Sequence, residues 1–177
     1  IHLKELNFLG TRFEIHLKDA GQFSANGKDE AEFYLALNPG EPVKPLENIA
    51  SGGELSRIML AIKTVLADAE DTPTLIFDEI DAGISGVTAA KVGEKLKLIG
   101  KSRQVICITH LSQIAAVADS HFLIEKSAEN ESVKTRIRLL NEEDSVKELA
   151  RILGGDKITS SIMESAREMK EMAKSEI

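Results

Sequence analysis

Two stretches of the sequence carry residue types that could act on a phosphate group, and they lie close together along the chain. The first, Ser51-Gly52-Gly53-Glu54, is glycine-rich and precedes apolar residues at helical spacing. Glycine permits positive φ, so successive backbone N–H groups of such a turn can point outward at an anion. A helix N-terminus adds unsatisfied N–H groups and a favourable dipole. Taken alone, this stretch is better explained as an ordinary serine and glycine cap of a helix.

The second stretch is a short apolar run, Thr74–Phe77, which is followed directly by Asp78 and Glu79. The run is partly β-branched, which predicts a strand buried on both faces of a parallel sheet. Ligands of open α/β sheets bind beyond the carboxyl ends of the strands. There Asp78 could hold Mg²⁺, and Glu79 could orient or deprotonate an attacking water. Two carboxylates after a fully apolar strand make simple solvation of the strand end the weaker explanation.

Together the two stretches are more specific than either alone. Ser51-Gly52-Gly53-Glu54 resembles the signature motif of ABC-type ATPases, and Leu75–Glu79 resembles their Walker B strand. The continuation through Asp81 is similar to the chromosome-maintenance branch (SMC, Rad50 and RecN heads) rather than to the transporters. Longer strings resemble the RecN family of bacterial DNA double-strand-break repair ATPases, from about residue 30 to about residue 155. These strings are Asn38 to Pro42, Ala50 to Met59, Phe77 to Gly86, and Ile108 to Leu111 with Gln113.

This resemblance implies an α/β fold, namely the C-terminal lobe of a P-loop NTPase head of the ABC type (SMC-like). It implies mostly parallel buried strands, flanking helices and a β-hairpin. ATP and Mg²⁺ are the implied cofactors, with Asp78 as the magnesium ligand, Glu79 as the general base and His110 as the switch histidine at the γ-phosphate. The implied contacts to the nucleotide of a second head come from the signature residues Ser51, Gly52, Gly53 and Glu54.

The residues after the Walker B strand match the D-loop, which carries communication between the two ATP sites of head dimers in this family. The matching residues are Asp81, Ala82, Gly83 and Ser85. Ser85 stands close to the place where many ABC proteins have aspartate. A plain turn between a strand and a helix explains these residues equally well on sequence alone.

A Walker A loop, G-x-x-x-x-G-K-S/T, does not occur in the sequence. Gly27-Lys28-Asp29 is superficially similar, but Gly21 is one residue too far away and Asp29 replaces the serine or threonine. The resemblance therefore implies an N-terminal Walker A lobe of the same protein as a partner, a second head as a homodimer, and DNA in the full-length protein. It also implies that the glycine turn and the general base lie on different surfaces, and that the isolated chain is a weak or null ATPase.

The composition is that of an ordinary globular protein, with 42% hydrophobic and 29% charged residues. The net charge of −7 argues against a chain coated with basic residues for nucleic acid, although a local basic patch stays possible. Cys107 is the lone cysteine and lies in an apolar run, which predicts a buried structural thiol. No disulfide can form within the chain, which fits a reducing cytoplasm, and no Cys/His cluster predicts zinc. No apolar run reaches transmembrane length and no signal peptide is visible, so no membrane partner is expected.

Apolar periodicity predicts the remaining elements of one domain spanning residues 1–177. Its segments are predicted as N-terminal strands and a connector (1–47), a core (48–126), and a hairpin with C-terminal helices (127–177). Because the chain begins at Ile1 without methionine, we expect a fragment or a processed piece. The predicted strands are Arg12–Lys18, Glu32–Leu37 and Val105–Ile108, with a loop at Gly21–Asp29 and a late hairpin of Phe122–Ile124 and Thr135–Leu140. The predicted helices are Gly53–Ala67, Thr88–Ile99, Leu111–Ala118, Ser145–Leu153 and Ile158–Lys174.

Three other functions fit parts of the sequence. Asp78-Glu79-Ile80-Asp81 matches a DExD-type helicase, but that class needs no glycine turn and helix before the strand. A transporter-type ABC ATPase subunit also fits, although Ile80 and Asp81 argue against it. A non-catalytic dimerisation scaffold would keep the fold but not the catalytic residues. The presence of Glu79 and His110 argues against such a loss of catalysis. The resemblance favours a bacterial, nucleoid-associated ATPase.

Overall fold

The structure, a computed structural model, describes residues 2–48, 52–66, 71–129 and 132–175. The chain divides into two compact units, Ile1–Ile84 with Ser102–Ile108, and Ser85–Lys101 with Thr109–Ile177. The first unit contains α1 (His2–Glu5), β1 (Arg12–Ser24), β2 (Gly27–Ala36), β3 (Lys44–Pro45), α2 (Gly52–Val65), β4 (Thr74–Phe77) and β5 (Gln104–Cys107). The second contains α3 (Gly86–Gly100), α4 (Ser112–Ala116), β6 (Phe122–Glu129), β7 (Ser132–Leu139), α5 (Glu142–Gly154) and α6 (Ser160–Ser175). The single domain and its segment boundaries stay a prediction.

β1 and β2 correspond to the first two predicted strands, and they pair antiparallel as a long hairpin. The predicted loop at Gly21–Asp29 is wrong, because β1 continues to Ser24 and β2 already begins at Gly27. Two features make this tight turn possible. Gly27 has φ of 105°, which glycine adopts without strain, and Lys28 Nζ lies 2.5 Å from Asp19 Oδ2 across the hairpin.

The parallel pair of β4 and β5 confirms the predicted parallel sheet, with Thr74 opposite Gln104 and Phe77 opposite Cys107. The prediction that β4 is buried on both faces is wrong. Phe77 is buried, but Ile76, which points to the other face, is 68% exposed. One face of this strand pair therefore packs on the chain's own core, and the other is an open apolar surface.

The second unit is held by helices that pack through small side chains. Ala115 and Ala116 of α4 form a buried cluster with residues of α5 and α6, among them Leu149 and Ala166. Small side chains let helix backbones approach closely, and Leu149 fills the remaining volume. Lys170 Nζ of α6 donates to the carbonyl oxygens of Ala116 and Ala118, and so satisfies acceptors at the end of α4. Among the described residues, no helix has the length and apolar character needed to cross a lipid bilayer.

The pH dependence of stability in the second unit should come from His121. Its Nδ1 lies 2.8 Å from Ser145 Oγ, and burial lowers the pKa of the imidazole, with a further lowering by the charge of Lys170 against an opposing effect of Glu148. Because the folded chain holds fewer protons at this site, the free energy of unfolding should fall as pH drops below the ordinary histidine pKa of 6.5. We expect His121→Gln to flatten this fall in urea titrations between pH 7.5 and 5, whereas His2→Gln keeps it. Equal slopes for the wild type and His121→Gln would contradict this assignment.

Candidate functional site

The first turn of α2 lies directly on the loop that follows β4, and both belong to the first unit. At Gly53, which is buried, an added Cβ would lie 2.8 Å from Ala82 Cβ and 3.0 Å from the carbonyl oxygens of Glu79 and Ala82. These distances are shorter than van der Waals contact, and two of the atoms belong to the backbone. A glycine at position 53 is therefore required for α2 to approach this loop so closely.

Arg57, one turn further along α2, ties the helix to the same loop. Its Nη1 donates to the carbonyl oxygens of Ile80, at 3.2 Å, and Ala82, at 2.8 Å. The residue is only 6% exposed, and its guanidinium lies 5.5 Å from the centre of the Phe8 ring. Burial lowers the pKa of the guanidinium, against an opposing effect of Glu54, but arginine stays charged in proteins. Its Nε has no hydrogen-bond partner, so the charge is held by carbonyls and a ring face.

The acidic residues after β4 begin this loop. Asp78 and Glu79 are both exposed, and Asp78 Oδ1 accepts a hydrogen bond of 2.9 Å from the Glu79 N–H. The carbonyl oxygen of Asp78 accepts a bond of 3.0 Å from Ser56 Oγ of α2. Glu79 itself has φ of 57°, in the left-handed region that few residues other than glycine adopt. The loop is thus a strained turn whose backbone oxygens are bound by side chains of α2.

The implied separation of the glycine turn from the general base is wrong for this chain. Glu79 Oε2 lies 2.7 Å from the position that a Cβ on Gly52 would occupy. The left-handed backbone of Glu79, in a loop held by hydrogen bonds from Ser56 and Arg57, brings its carboxylate against the first turn of α2. The turn and the carboxylate therefore form one continuous surface of the first unit.

Within the first unit, the structure brings together six of the predicted site residues. Those that meet at the start of α2 and the loop after β4 are Gly52, Gly53, Asp78, Glu79, Asp81 and Ala82. Gly83 continues the loop with φ of 72°, and Glu54 follows within α2. Ser85, at the start of α3, and His110 belong to the second unit, and both are exposed. Ser51 lies outside the described residues, so its contacts stay a prediction.

Sequence reasoning missed the residues that hold the site in place. Ser56 and Arg57 belong to the motif-bearing stretch, yet helical spacing alone gave them no role. The signal was the arginine, since a charged residue amid the buried positions of a helix needs partners. Cys107, at the end of β5, was expected to be a structural thiol. Burial, together with the charges of Asp81 and Asp78, raises its pKa to about 12, so it stays a neutral thiol at physiological pH.

A magnesium site at Asp78 would be completed by the nucleotide rather than by a cage of protein ligands. Within the part of the chain that the structure describes, no group of three or more histidine, cysteine or acidic side chains is placed to hold a metal. Magnesium usually keeps its waters and takes one or two carboxylates plus phosphate oxygens. The exposed carboxylate of Asp78, oriented by its bond to the Glu79 N–H, fits that mode of binding.

Over most of its length this chain is similar in sequence to DNA repair proteins named RecN. It is 44% identical over 177 residues to the DNA repair protein RecN of Halalkalibacterium halodurans, covering 98% of the chain and 31% of that protein. It is 42% identical over 168 residues to RecN of Vibrio cholerae, covering 94% of the chain and 30% of that protein. The chain thus spans about a third of the length of these relatives. No protein-family model matches the chain.

Solved structures of similar fold are SMC head domains. The Smc head with a coiled coil and joint from Pyrococcus yayanosii matches with a TM-score of 0.58 and 25% identity, covering 84% of this chain and 27% of that one. The Pyrococcus furiosus Smc head bound to the C-terminal domain of ScpA matches at 0.55 and 26%, covering 86% and 36%. A chain from work on ATP-driven dimerization and DNA-stimulated activation of SMC ATPases matches at 0.51 and 22%, covering 88% and 95%. The predicted α/β, SMC-like head fold is confirmed.

The close approach at Gly53 can be tested with an added methyl group. Gly53→Ala should lower the free energy of unfolding by about 1–3 kcal/mol, because the backbone atoms it meets cannot withdraw cheaply. Gly100→Ala is the control, since position 100 faces open space and has no positive φ. There the same change should be neutral or stabilise by up to about 1 kcal/mol. Urea unfolding measures both, and equal effects of the two substitutions would refute the close contact.

The role of Arg57 can be tested by removing its donors while keeping its length. Arg57→Met leaves the carbonyl oxygens of Ile80 and Ala82 without this donor, and should cost about 1–3 kcal/mol of unfolding free energy. Arg12→Met is the matched control, because Arg12 also donates to a carbonyl, that of Glu41 at 2.8 Å, but in an exposed place where water can substitute. Chemical denaturation should show little change for the control. An unchanged denaturation midpoint for Arg57→Met would show that the bonds from Arg57 to the loop are not needed for stability.

Proposed function

We propose, on the premise that this chain is homologous to about a third of the bacterial RecN proteins, that it is the C-terminal lobe of an ATP-hydrolysing head used in DNA double-strand-break repair. The observation that carries this proposal is the packing of the first turn of α2 on residues 78–82. That packing joins a glycine turn and two exposed carboxylates into one surface. In a complete head, the glycine turn of this surface would bind a phosphate, and its carboxylates would bind Mg²⁺ and activate a water molecule.

The residues of this surface take distinct roles in the proposed reaction. Asp78 would hold Mg²⁺, which when bound neutralises charge on the phosphates. Glu79 would orient the attacking water and accept its proton. His110 would hydrogen-bond the γ-phosphate. The backbone N–H groups of Ser51, Gly52 and Gly53, with Glu54 beside them, would receive the γ-phosphate of a second head.

The loop after β4 would transmit the state of one site to the other. Asp81 is buried, and its carbonyl oxygen accepts a bond from the Ile84 N–H, so the loop is a folded turn rather than a loose connection. Ala82 packs against Gly53, and Gly83 provides the positive φ needed to leave the turn. Ser85 then forms the N-cap of α3. These residues would act as the D-loop between the paired sites.

A partner lobe is proposed from the open apolar surfaces of the first unit. Ile76 and Ile106 are exposed on neighbouring strands of the parallel pair, and Phe13, Ile15 and Leu17 are exposed along one face of β1. Contiguous exposed apolar residues mark surfaces that another body covers. The relatives are about three times as long as this chain, so they have residues enough for an N-terminal Walker A lobe.

The complete protein is proposed to work as a pair of such heads. ATP held between two heads would favour their engagement, and hydrolysis would release them. DNA binding, a cytoplasmic location and association with the bacterial nucleoid would be properties of the whole protein. The similarity to SMC head structures supports the head fold for this pairing.

The split of the active site is tested by ATP turnover of this chain alone and mixed with a polypeptide that carries a Walker A lobe. We expect negligible turnover alone and clear turnover in the mixture. Glu79→Gln should reduce turnover in the mixture by roughly 100-fold or more, because a general base contributes that much or more to such reactions. Glu47→Gln, which neutralises an exposed carboxylate outside the site, should leave turnover unchanged.

Three results would count against the proposal. Turnover by the chain alone would show that it contains its own phosphate-binding loop. Normal turnover by Glu79→Gln would show that another residue is the base. No turnover in a mixture shown to associate would favour a dimerisation scaffold without catalysis.

A further inference from the structure

The contact between Gly52 and Glu79 joins two motifs that the proposed function assigns to different nucleotides. Glu79 Oε2 lies 2.7 Å from the Cβ position of residue 52, and its carboxyl carbon lies 4.0 Å from it. Position 52 has no positive φ, so its helical backbone does not itself demand glycine. The group that a side chain at position 52 would meet first, and would have to displace, is the carboxylate of Glu79.

The orientation of Glu79 is itself held by the loop. Its φ of 57° is unfavourable for a residue with a side chain, and such strain persists only when neighbouring contacts enforce it. Those contacts are the bond from Ser56 to the Asp78 carbonyl and the bonds from Arg57 to the carbonyls of Ile80 and Ala82. The residues flanking Glu79 on both sides are therefore fixed by α2, and its carboxylate is directed at the turn of the same helix.

We propose that Gly52 is a positioning residue for Glu79, and that the space left by its missing side chain is where the carboxylate rests until a phosphate docks at the turn. Two anions cannot share that space, because like charges this close repel each other. This inference rests on the proposed function, which assigns phosphate docking to the turn and base catalysis to Glu79. Docking of the second head's nucleotide would thus displace Glu79 and release it toward the nucleotide of its own head.

The consequence is an order of events within the head pair. A head whose turn carries no phosphate keeps its general base against α2, where it cannot reach a water at its own site. A head whose turn has received a phosphate has its base released. Hydrolysis at each site would then depend on engagement through the same chain, with no large movement of the fold.

Pyrophosphate is the probe for this competition, and the backbone amides of Gly52 and Gly53 report its binding by NMR in the 177-residue chain. Glu79→Gln removes the competing charge with the shape nearly unchanged, and should tighten pyrophosphate binding at the turn roughly tenfold at low ionic strength. Glu47→Gln removes one negative charge from an exposed place in the same unit, and should change the affinity by less than about twofold. Equal effects of the two substitutions would overturn the inference while leaving docking intact.

Gly52→Ala separates positioning from docking. The methyl group displaces the carboxylate, so adding Glu79→Gln to this variant should no longer change its affinity for pyrophosphate. Glu79→Gln should therefore raise pyrophosphate affinity roughly tenfold in the wild-type background and leave it unchanged in the Gly52→Ala background. Comparing the two backgrounds cancels any direct effect of the methyl group on docking. A gain that stays near tenfold would show that Gly52 does not position Glu79.

A second variant covers the case in which Gly52→Ala does not fold. Glu79→Asp then takes its place, because its shorter side chain withdraws the negative charge from the turn without removing it. We expect a pyrophosphate affinity between those of the wild type and Glu79→Gln, measured from the same amide shifts. An affinity equal to that of the wild type would contradict the inference.

Failure of the proposed function has a different signature. If pyrophosphate shifts neither amide in any variant, including Glu79→Gln, the turn does not receive phosphate. That result overturns both the docking assignment and the competition built on it. If pyrophosphate binds at the turn with the same affinity in the wild type and in Glu79→Gln, only the competition with Glu79 is overturned, and phosphate docking at the turn stands.

Discussion

The buried guanidinium of Arg57 is the interaction on which the geometry of this site depends. It bonds to two carbonyl oxygens of the loop after β4, rather than to a carboxylate of that loop, and therefore fixes the path of the backbone. A positive charge held in this way is costly to bury, as its lowered pKa indicates. The two carbonyl bonds and the contact with the Phe8 ring offset part of this cost, and the same bonds place a glycine turn and an acidic turn side by side. Without the guanidinium, the left-handed Glu79 and the close approach at Gly53 would be supported mainly by the bond from Ser56 to the Asp78 carbonyl.

The two glycines of the turn are neighbours in the sequence, but different groups lie beside them. Gly53 is required by the backbone and Cβ atoms of the loop, which cannot move away without breaking the packing. Gly52 faces the end of a long side chain, which can move away easily. The first glycine of the pair therefore adjoins a group that can move, and the second adjoins a fixed structure. A coupling between docking and catalysis can arise only at the movable contact.

The sequence predicts local elements here better than it predicts proximity. Thr74–Phe77 was placed correctly, because an apolar run after a proline has few alternatives. The hairpin ends were missed, since the ion pair of Asp19 and Lys28 extends the strands beyond their apolar alternation. Burial of β4 on both faces was wrong, because a strand's sequence does not say whether its second face is covered by the same chain. The contact of Glu79 with Gly52 could not be predicted, since it depends on a backbone conformation that its residue type disfavours.

The electrostatics of the first unit explain why a composite site is physically reasonable. Besides burial, the charges of Asp81 and Asp78 raise the pKa of the Cys107 thiol to about 12, which reports a negative potential at the carboxyl ends of β4 and β5. A triphosphate approaching that edge meets carboxylates, and the charge of Arg57 is already bound to backbone oxygens. Under the proposed function, nucleotide binding would therefore call for cations from outside this chain, namely Mg²⁺ and the lysine of a Walker A loop. Carboxylates suit the hydrolytic half of such a site, because they bind metal and accept a proton. In the proposed head the Walker A loop would belong to another lobe, so occupancy of the site would depend on assembly of the two lobes.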